Sequence, residues 1–436
     1  MKRHGDLFYK ITDLDNILQA FEKVTQGKKN YREVKRIQPK VIEFAYKIKE
    51  MLENHTYTIK PENYTRKVIN EGSHSGTKKE RELFKLRLYP HRWIHWCIML
   101  VVRDIFLKHY CYHSCACIPN GGIKRAHALT VKYLKDKENT KYCLKIDIKK
   151  FYPSINKEIL KQKLRKKFKD PDLLWLFDMI IDSYPKDRGV AIGLLTSQYF
   201  SNYFLSDFDH YLKEKLKVKK VIRYMDDVTI YASNKEYLHE LLKQIKEYLK
   251  NELDLELKGN YQIFPVDKRG VDFVGYVFRH DSVRLRKSSA LTLRLISNAV
   301  KKHQKVTDRQ FSALNSICGN FQFFNSTPLF EKYAEPIVDY LKEYYNESLS
   351  EDLSEEEKTV RLEHYINKLL NKKLKRAEIL TPKPKVIKKH YKKEHLVEYV
   401  KAKRKSRKKK AEQLNLLPPL SLGIGEINKL LKCPQK

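Results

Sequence analysis

Three aspartates are set apart by their surroundings. Asp147 falls in the run Tyr142-Cys143-Leu144-Lys145-Ile146-Asp147-Ile148, where Leu144, Ile146 and Ile148 alternate with Lys145 and Asp147. Asp226 and Asp227 stand side by side between two β-prone runs, residues 221–224 and 228–231. Neighbouring carboxylates repel one another and are costly unless a cation neutralises them. A hard divalent ion does this with oxygen ligands, and Mg²⁺ characteristically takes one or two protein carboxylates together with substrate phosphates. If the two β-elements are neighbours in one sheet, the acids converge and could hold two metals about 3.5–4 Å apart, the arrangement of in-line phosphoryl transfer. Aspartate is also a favoured turn residue, so the pair at 226–227 taken alone is equally ordinary turn chemistry.

The positioning elements follow from periodicity. Period-two alternation over 142–148 predicts a half-buried strand with its acid on the polar face. Residues 221–231 predict a strand-turn-strand hairpin with Asp226 and Asp227 at its tip. Asn156 opens a basic helix with Ile159, Leu160, Leu164 and Phe168 on one side, and the aromatics at 199, 200, 203, 204 and 208 have the spacing of a buried helix. Ser233 and Glu236 read as the capping box of a helix that turns Leu238, Leu241, Leu242, Ile245, Tyr248 and Leu249 inward. The order β, α, α, ββ, α predicts an α+β sheet with helices on one face. The first 60 residues read as helical, as do those from 287 to about 345, and the Gly-Ser segment at 71–77 as a hairpin tip.

Composition narrows the partner. The 436 residues carry 89 Lys and Arg against 53 Asp and Glu, a net charge of +36, so a polyanion, most commonly nucleic acid, is expected. With 42% hydrophobic residues the chain can fold, which excludes wholesale disorder. Its longest apolar run, residues 96–102, is far short of the roughly 20 residues of a membrane helix, and no secretory pattern opens the chain. We expect no membrane partner and a place inside the cell. The seven cysteines are too scattered for a disulfide framework. His109, Cys111, His113, Cys115 and Cys117 alternate along one strand face rather than surrounding a tetrahedron, so no zinc is expected there.

At this point the motifs resemble a family. Tyr224-Met225-Asp226-Asp227 is similar to catalytic motif C of reverse transcriptases, Asp147-Ile148-Lys149-Lys150-Phe151-Tyr152 to motif A, and Ile192-Gly193-Leu194-Leu195-Thr196-Ser197-Gln198 to motif B, in the family's order. The resemblance implies a right-hand polymerase with fingers, palm and thumb and a helical, basic C-terminal extension. It implies RNA-templated DNA synthesis from dNTPs with two Mg²⁺ per site, or Mn²⁺ in their stead. Asp147 and Asp226 would be the principal metal ligands, with Asp227 as third acid and the Ile148 carbonyl facing one metal. Tyr152 falls at the steric gate that excludes a ribose 2′-hydroxyl. Gly193 and Gln198 would approach the nucleotide, Lys79, Arg81 and Arg92 its triphosphate, and Lys258, in a segment similar to motif D, the leaving pyrophosphate. Phe273-Val274-Gly275-Tyr276 resembles the primer grip, where Gly275 permits close approach to the primer, and Lys124 and Arg125 would meet the template. Ile192-Gly193 and Ser197-Gln198, in place of the commoner Gln-Gly and Ser-Pro, resemble the enzymes of diversity-generating retroelements and bacterial unknown-group or abortive-infection reverse transcriptases.

The implied division is an N-terminal helical region over 1–60, fingers over 61–141, palm over 142–284, helical thumb over 285–345, and an acidic linker with basic extension over 346–436. Residues 371–410 hold 18 Lys or Arg against three Glu. Such a run anchors RNA electrostatically, and Lys403, Arg404 and Arg407 are its expected contacts. Gln413-Leu414-Asn415-Leu416-Leu417 is similar to peptides that bind the bacterial sliding clamp. The expectation is a bacterial cytoplasmic enzyme that copies a noncoding RNA into cDNA in anti-phage defence, favoured by the long extension. The alternatives are a diversity-generating retroelement and a catalytically silent RNA-binding scaffold; neither primer nor oligomeric state is legible.

Overall fold

The computed structural model describes residues 3–71, 79–324 and 327–349, with Ser354 and Tyr365, all in the first of two compact units, residues 1–375. Among the described residues no helix is long and apolar enough to cross a membrane. The chain opens with helices α1 (Phe8–Ile11), α2 (Leu14–Thr25), α3 (Arg32–Ile37) and α4 (Val41–Glu53), followed by an antiparallel pair, β1 (Thr65–Glu71) and β2 (Lys79–Lys85). Helices α5 (Trp93–Leu107) and α6 (Gly122–Leu134) lead into β3 (Tyr142–Asp147), and α7 (Phe151–Ser154), α8 (Lys157–Lys167), α9 (Pro171–Asp182), α10 (Leu195–Phe204) and α11 (Ser206–His210) separate β3 from the hairpin β4 (Lys220–Tyr224) and β5 (Asp227–Ala232). Then come α12 (Lys235–Leu253), β6 (Gln262–Pro265), α13 (Val266–Arg269), the short strands β7 (Val271–Phe273), β8 (Tyr276–Phe278) and β9 (Val283–Leu285), and α14 (Lys287–His303), α15 (Asp308–Gly319), α16 (Thr327–Leu329) and α17 (Val338–Glu347).

The central sheet has the order β4-β5-β3-β6, every pair antiparallel. Its class is the α+β expected, but helices on one face is a correction. Leu144, Ile146, Val228 and Ile230 join the larger core with the inward leucines of α12. Cys143, Ile222 and Tyr231, pointing the other way, join a second core with Ala126 and Leu129 of α6, the β7-β8-β9 sheet and the C-terminal helices. That second cover buries Cys143 but leaves Lys145 and Asp147 half-exposed. A further correction concerns α12, whose N-cap is Asn234, accepting from the Tyr237 amide at 3.0 Å, rather than Ser233. Asparagine is as good a cap as serine, and one position decides between them.

The N-terminal helices share the larger core. Trp93 donates its indole N–H to the Ile17 carbonyl at 2.6 Å, and buried Asp170 accepts the amides of Leu7 and Phe8 at 2.6 and 2.9 Å while capping α9 through Leu173. Strand β2 is sewn to residue 192, the Phe84 amide donating to the Ile192 carbonyl at 2.8 Å.

Candidate active site

The register sets Asp147 directly opposite Asp227 at the end of the β3–β5 ladder, with Tyr224 facing Asp227 across the hairpin. Met225 and Asp226 form the two-residue tip. Met225 adopts φ +56°, the left-handed conformation that glycine fills most readily. The Asp226 carbonyl accepts the Ile148 amide at 3.2 Å, tying the tip to the end of β3. Beyond β3, the segment 256–258 runs alongside: Lys149 donates its amide to the Glu256 carbonyl at 2.8 Å and Lys258 donates to the Asp147 carbonyl at 2.9 Å, flanking an Ile148–Leu257 bridge. The three acids, Ile148 and Lys258 therefore meet at one sheet edge.

The electrostatics of that edge are under tension. Burial, then the charge of Asp147, pushes the Asp226 carboxyl up. Asp227 rises to about 6, from burial first, with Asp147 and Asp226 adding and Lys145 opposing. Two lysines share the acids: Lys258 Nζ lies 2.5 Å from Asp147 Oδ2, and Lys145 Nζ lies 3.5 Å from Asp227 Oδ2. Even so, Asp147 Oδ1 and Asp227 Oδ1 are buried without a hydrogen-bond partner among the described residues. Orphaned carboxylate oxygens are the donor set a hard divalent cation takes, so these residues fit such an ion. Among the described residues no cluster of three or more acid, His or Cys side chains is drawn together as a preformed metal cage.

Around the acids stand most of the other candidates. Tyr152, on α7, packs edge-on against Phe151 with ring centroids 5.7 Å apart, and burial, then Cys117 and Asp226, raises its phenol well above the ordinary range. The charge of Arg81, in β2, reaches both Asp226 and Tyr152. The structure describes Lys79 as β2 backbone paired with Glu71. Gly193 has φ +114°, and a Cβ there would lie 2.7 Å from the Phe84 carbonyl oxygen, so only glycine fits. Gly193 and Gln198 line a cavity of about 400 Å³ with Lys28, Tyr31, Lys85 and Arg92. Lys28 is lowered by burial and then by the charges of Arg92 and Lys85, as expected where cations crowd together.

Farther out, Phe273 and Tyr276 face each other across the β7–β8 hairpin with wholly buried side chains, and the Tyr276 hydroxyl donates to the Asn320 carbonyl at 3.3 Å. What the hairpin offers outward is its tip, Val274 and Gly275, at φ +44° and +94°. Lys124 and Arg125 lie in the first turn of α6, Arg125 stacking 5.1 Å over the exposed ring of Tyr112. In the 109–117 segment, His113 faces Asp209 at 3.3 Å, His109 faces Asp207 at 3.3 Å and Cys115 is core. Lys403, Arg404, Arg407, the 413–417 peptide and the 72–78 tip lie outside the described residues.

Lys145 belongs to no motif, although period two sets it on the Asp147 face. Lys28, Tyr31 and Lys85 reach the Gly193 cavity from remote segments that carry no local signal in the sequence.

Residues 78–278 match the family model described as reverse transcriptase (RNA-dependent DNA polymerase). No curated protein matches the chain. Among solved structures it is similar to apo telomerase from Candida tropicalis, at TM-score 0.42 and 15% identity over 72% of this chain and 63% of that one. It is also similar to telomerase from Candida albicans in complex with a TWJ fragment of telomeric RNA, at TM-score 0.41 and 12% identity over 72% and 60%. The chain thus spans about three fifths of the length of those telomerase chains. Residues 78–278, which contain the three acids, Gly193 and the β7–β8 hairpin, are a reverse transcriptase domain.

Proposed function

We propose that this protein copies an associated noncoding RNA into cDNA by two-metal nucleotidyl transfer at Asp147, Asp226 and Asp227. The observation that carries this is the pairing of Asp147 with Asp227, each with a buried, unpartnered Oδ1 among the described residues, at the tip that also presents Asp226. Asp147, Asp226 and the Ile148 carbonyl hold the Mg²⁺ ions, with Asp227 supporting them. Bound there, the ions supply positive charge to the primer hydroxyl and the triphosphate. Lys258, which pairs with Asp147, turns to the leaving pyrophosphate as general acid. Arg81 and Lys79 on β2 meet the triphosphate. The Tyr152 ring lies beneath the sugar and selects dNTPs, and the Gly193 cavity with Gln198 seats the templating pair. The β7–β8 tip meets the primer through the backbone of Val274 and Gly275, and Lys124, Arg125 and the basic extension hold RNA.

The division into fingers, palm and thumb at 61–141, 142–284 and 285–345 belongs to the same reading, as does a bacterial cytoplasmic setting. For biology we propose anti-phage defence, supported by the long basic extension, with its run at residues 371–410. A diversity-generating retroelement is the second reading, favoured by Ile192-Gly193 and Ser197-Gln198; a template-repeat and variable-repeat pair in the neighbouring DNA would decide for it. The test of activity is to sequence nucleic acid that copurifies with wild type and with Asp226→Ala/Asp227→Ala. DNA with the wild type alone is the expected result. RNA held equally by both, with no DNA, would replace the enzyme with a scaffold.

A further inference from the structure

Beneath the acids lies a polar cluster that the proposed chemistry does not use. Arg223, the penultimate residue of β4, is wholly buried, and so are Asp209, Ser114 and Asn202 around it. Its Nε donates to Asp209 Oδ1 at 2.7 Å and its Nη2 to Asp209 Oδ2 at 2.5 Å. Nη2 also donates to Ser114 Oγ at 2.9 Å, and Nη1 donates to the Met225 carbonyl at 3.1 Å. Ser114 Oγ in turn donates to Asn202 Oδ1 at 3.2 Å in α10, the helix that carries Gln198.

A buried ion pair seldom improves on well-packed apolar residues in net stability, so stability is a poor account of this one. What a guanidinium supplies that a hydrocarbon or an ammonium does not is a rigid fork with fixed donor directions. Asp209 fixes the plane of the fork, and one remaining arm points at the Met225 carbonyl. Met225 needs such a hold, because a left-handed residue other than glycine is strained and persists only where its surroundings over-determine it. Its carbonyl begins the peptide that leads into Asp226, whose own carbonyl is held from the other side by the Ile148 amide.

We infer that Arg223 is a positioning residue for the metal-holding acids: its buried fork fixes the Met225 carbonyl and thereby sets where Asp226 and Asp227 stand relative to Asp147. The inference rests on the reading of those acids as metal ligands. Arg223→Lys keeps a charge for Asp209 but loses the fork, and Ser114→Ala removes one acceptor while sparing the ion pair. Each is compared with wild type and Asp226→Asn for Mn²⁺ affinity, read from the cation-induced rise in melting temperature, and for kcat and KM with dNTPs.

For Arg223→Lys we expect Mn²⁺ affinity and kcat both to fall about tenfold, the usual scale for groups that orient metal ligands, with KM for dNTP within about twofold. Ser114→Ala should shift the same two quantities by less, and it decides the matter if Arg223→Lys does not fold. Variants that melt lower yet keep wild-type Mn²⁺ affinity and kcat would overturn the inference. Asp226→Asn retaining wild-type Mn²⁺ affinity and polymerisation would instead overturn the reading of the acids, whatever Arg223 does.

Discussion

At the scale of single residues, the crowding of buried acids costs stability. Asp227 binds its proton more readily folded than unfolded, because burial carries its pKa to about 6 from an ordinary value near 4. The metal-free protein therefore loses stability as pH rises from about 4 to 6 and carries the full penalty above 6. Asp227→Asn, neutral throughout, should stabilise the metal-free protein at pH 7.5 by an amount on the order of 2–3 kcal/mol, fading towards pH 4. Urea unfolding in EDTA at pH 7.5 and 4.5 measures this, and an equal effect at both would refute it. Gly193→Ala should cut kcat/KM for dNTP about a hundredfold, because the new Cβ meets the Phe84 carbonyl and must shift β2 or residue 193 itself. Gly259→Ala, where a Cβ meets nothing within 4 Å, is the neutral control. The three acids could be read from the sequence because alternation and turn chemistry are local signals. Lys28 and Lys85 could not, since what brings them to one cavity is the packing of α2 against α5 and of β2 against residue 192.

Elements were legible where their signals are periodic and blurred where one residue decides. Strand β3, the β4–β5 hairpin and helix α12 all stand where alternation and heptad-like spacing set them. The second cover of the sheet escaped notice because Cys143, Ile222 and Tyr231 are single apolar residues on faces otherwise read as polar. The β7–β8 hairpin was hidden by its own tip, since a two-residue loop with positive φ at both positions normally announces itself with Asn-Gly, and here Val274 stands in the first. A β-branched residue there is strained, so Val274→Asn should raise unfolding free energy by about 1 kcal/mol. The primer is assigned to the backbone of this tip, so the same variant should leave KM for primer–template within about twofold. A destabilised Val274→Asn in urea titration would mean that the valine side chain contributes more by packing than its conformation costs.

At the scale of the molecule, two features divide what sequence can tell. The amphipathic stripes of the first 60 residues announce helices but not their partner, and the structure folds them into the same core as the sheet through Trp93 and Asp170. Charge, in contrast, is additive and needs no fold: residues 371–410 hold a net +15 of the chain's +36. Tyr365 marks where a cut should fall, since its ring stacks on Tyr345 with centroids 4.4 Å apart and its hydroxyl donates to Asn315 at 3.1 Å. Truncation after residue 370 preserves that stacking and removes the basic run. If the run binds RNA as proposed, every phosphate it ceases to neutralise makes the plot of log affinity against log salt shallower by about 0.7–0.9. We therefore expect the truncated protein to bind single-stranded RNA more weakly at low salt and to show a slope shallower by about 3 or more, with kcat on saturating primer–template unchanged. Filter binding from 50 to 300 mM salt reads the slope, and the two proteins converge at the upper end as screening removes what the basic run contributes. Equal slopes would assign RNA binding to the polymerase domain alone and leave the basic run to some other polyanion.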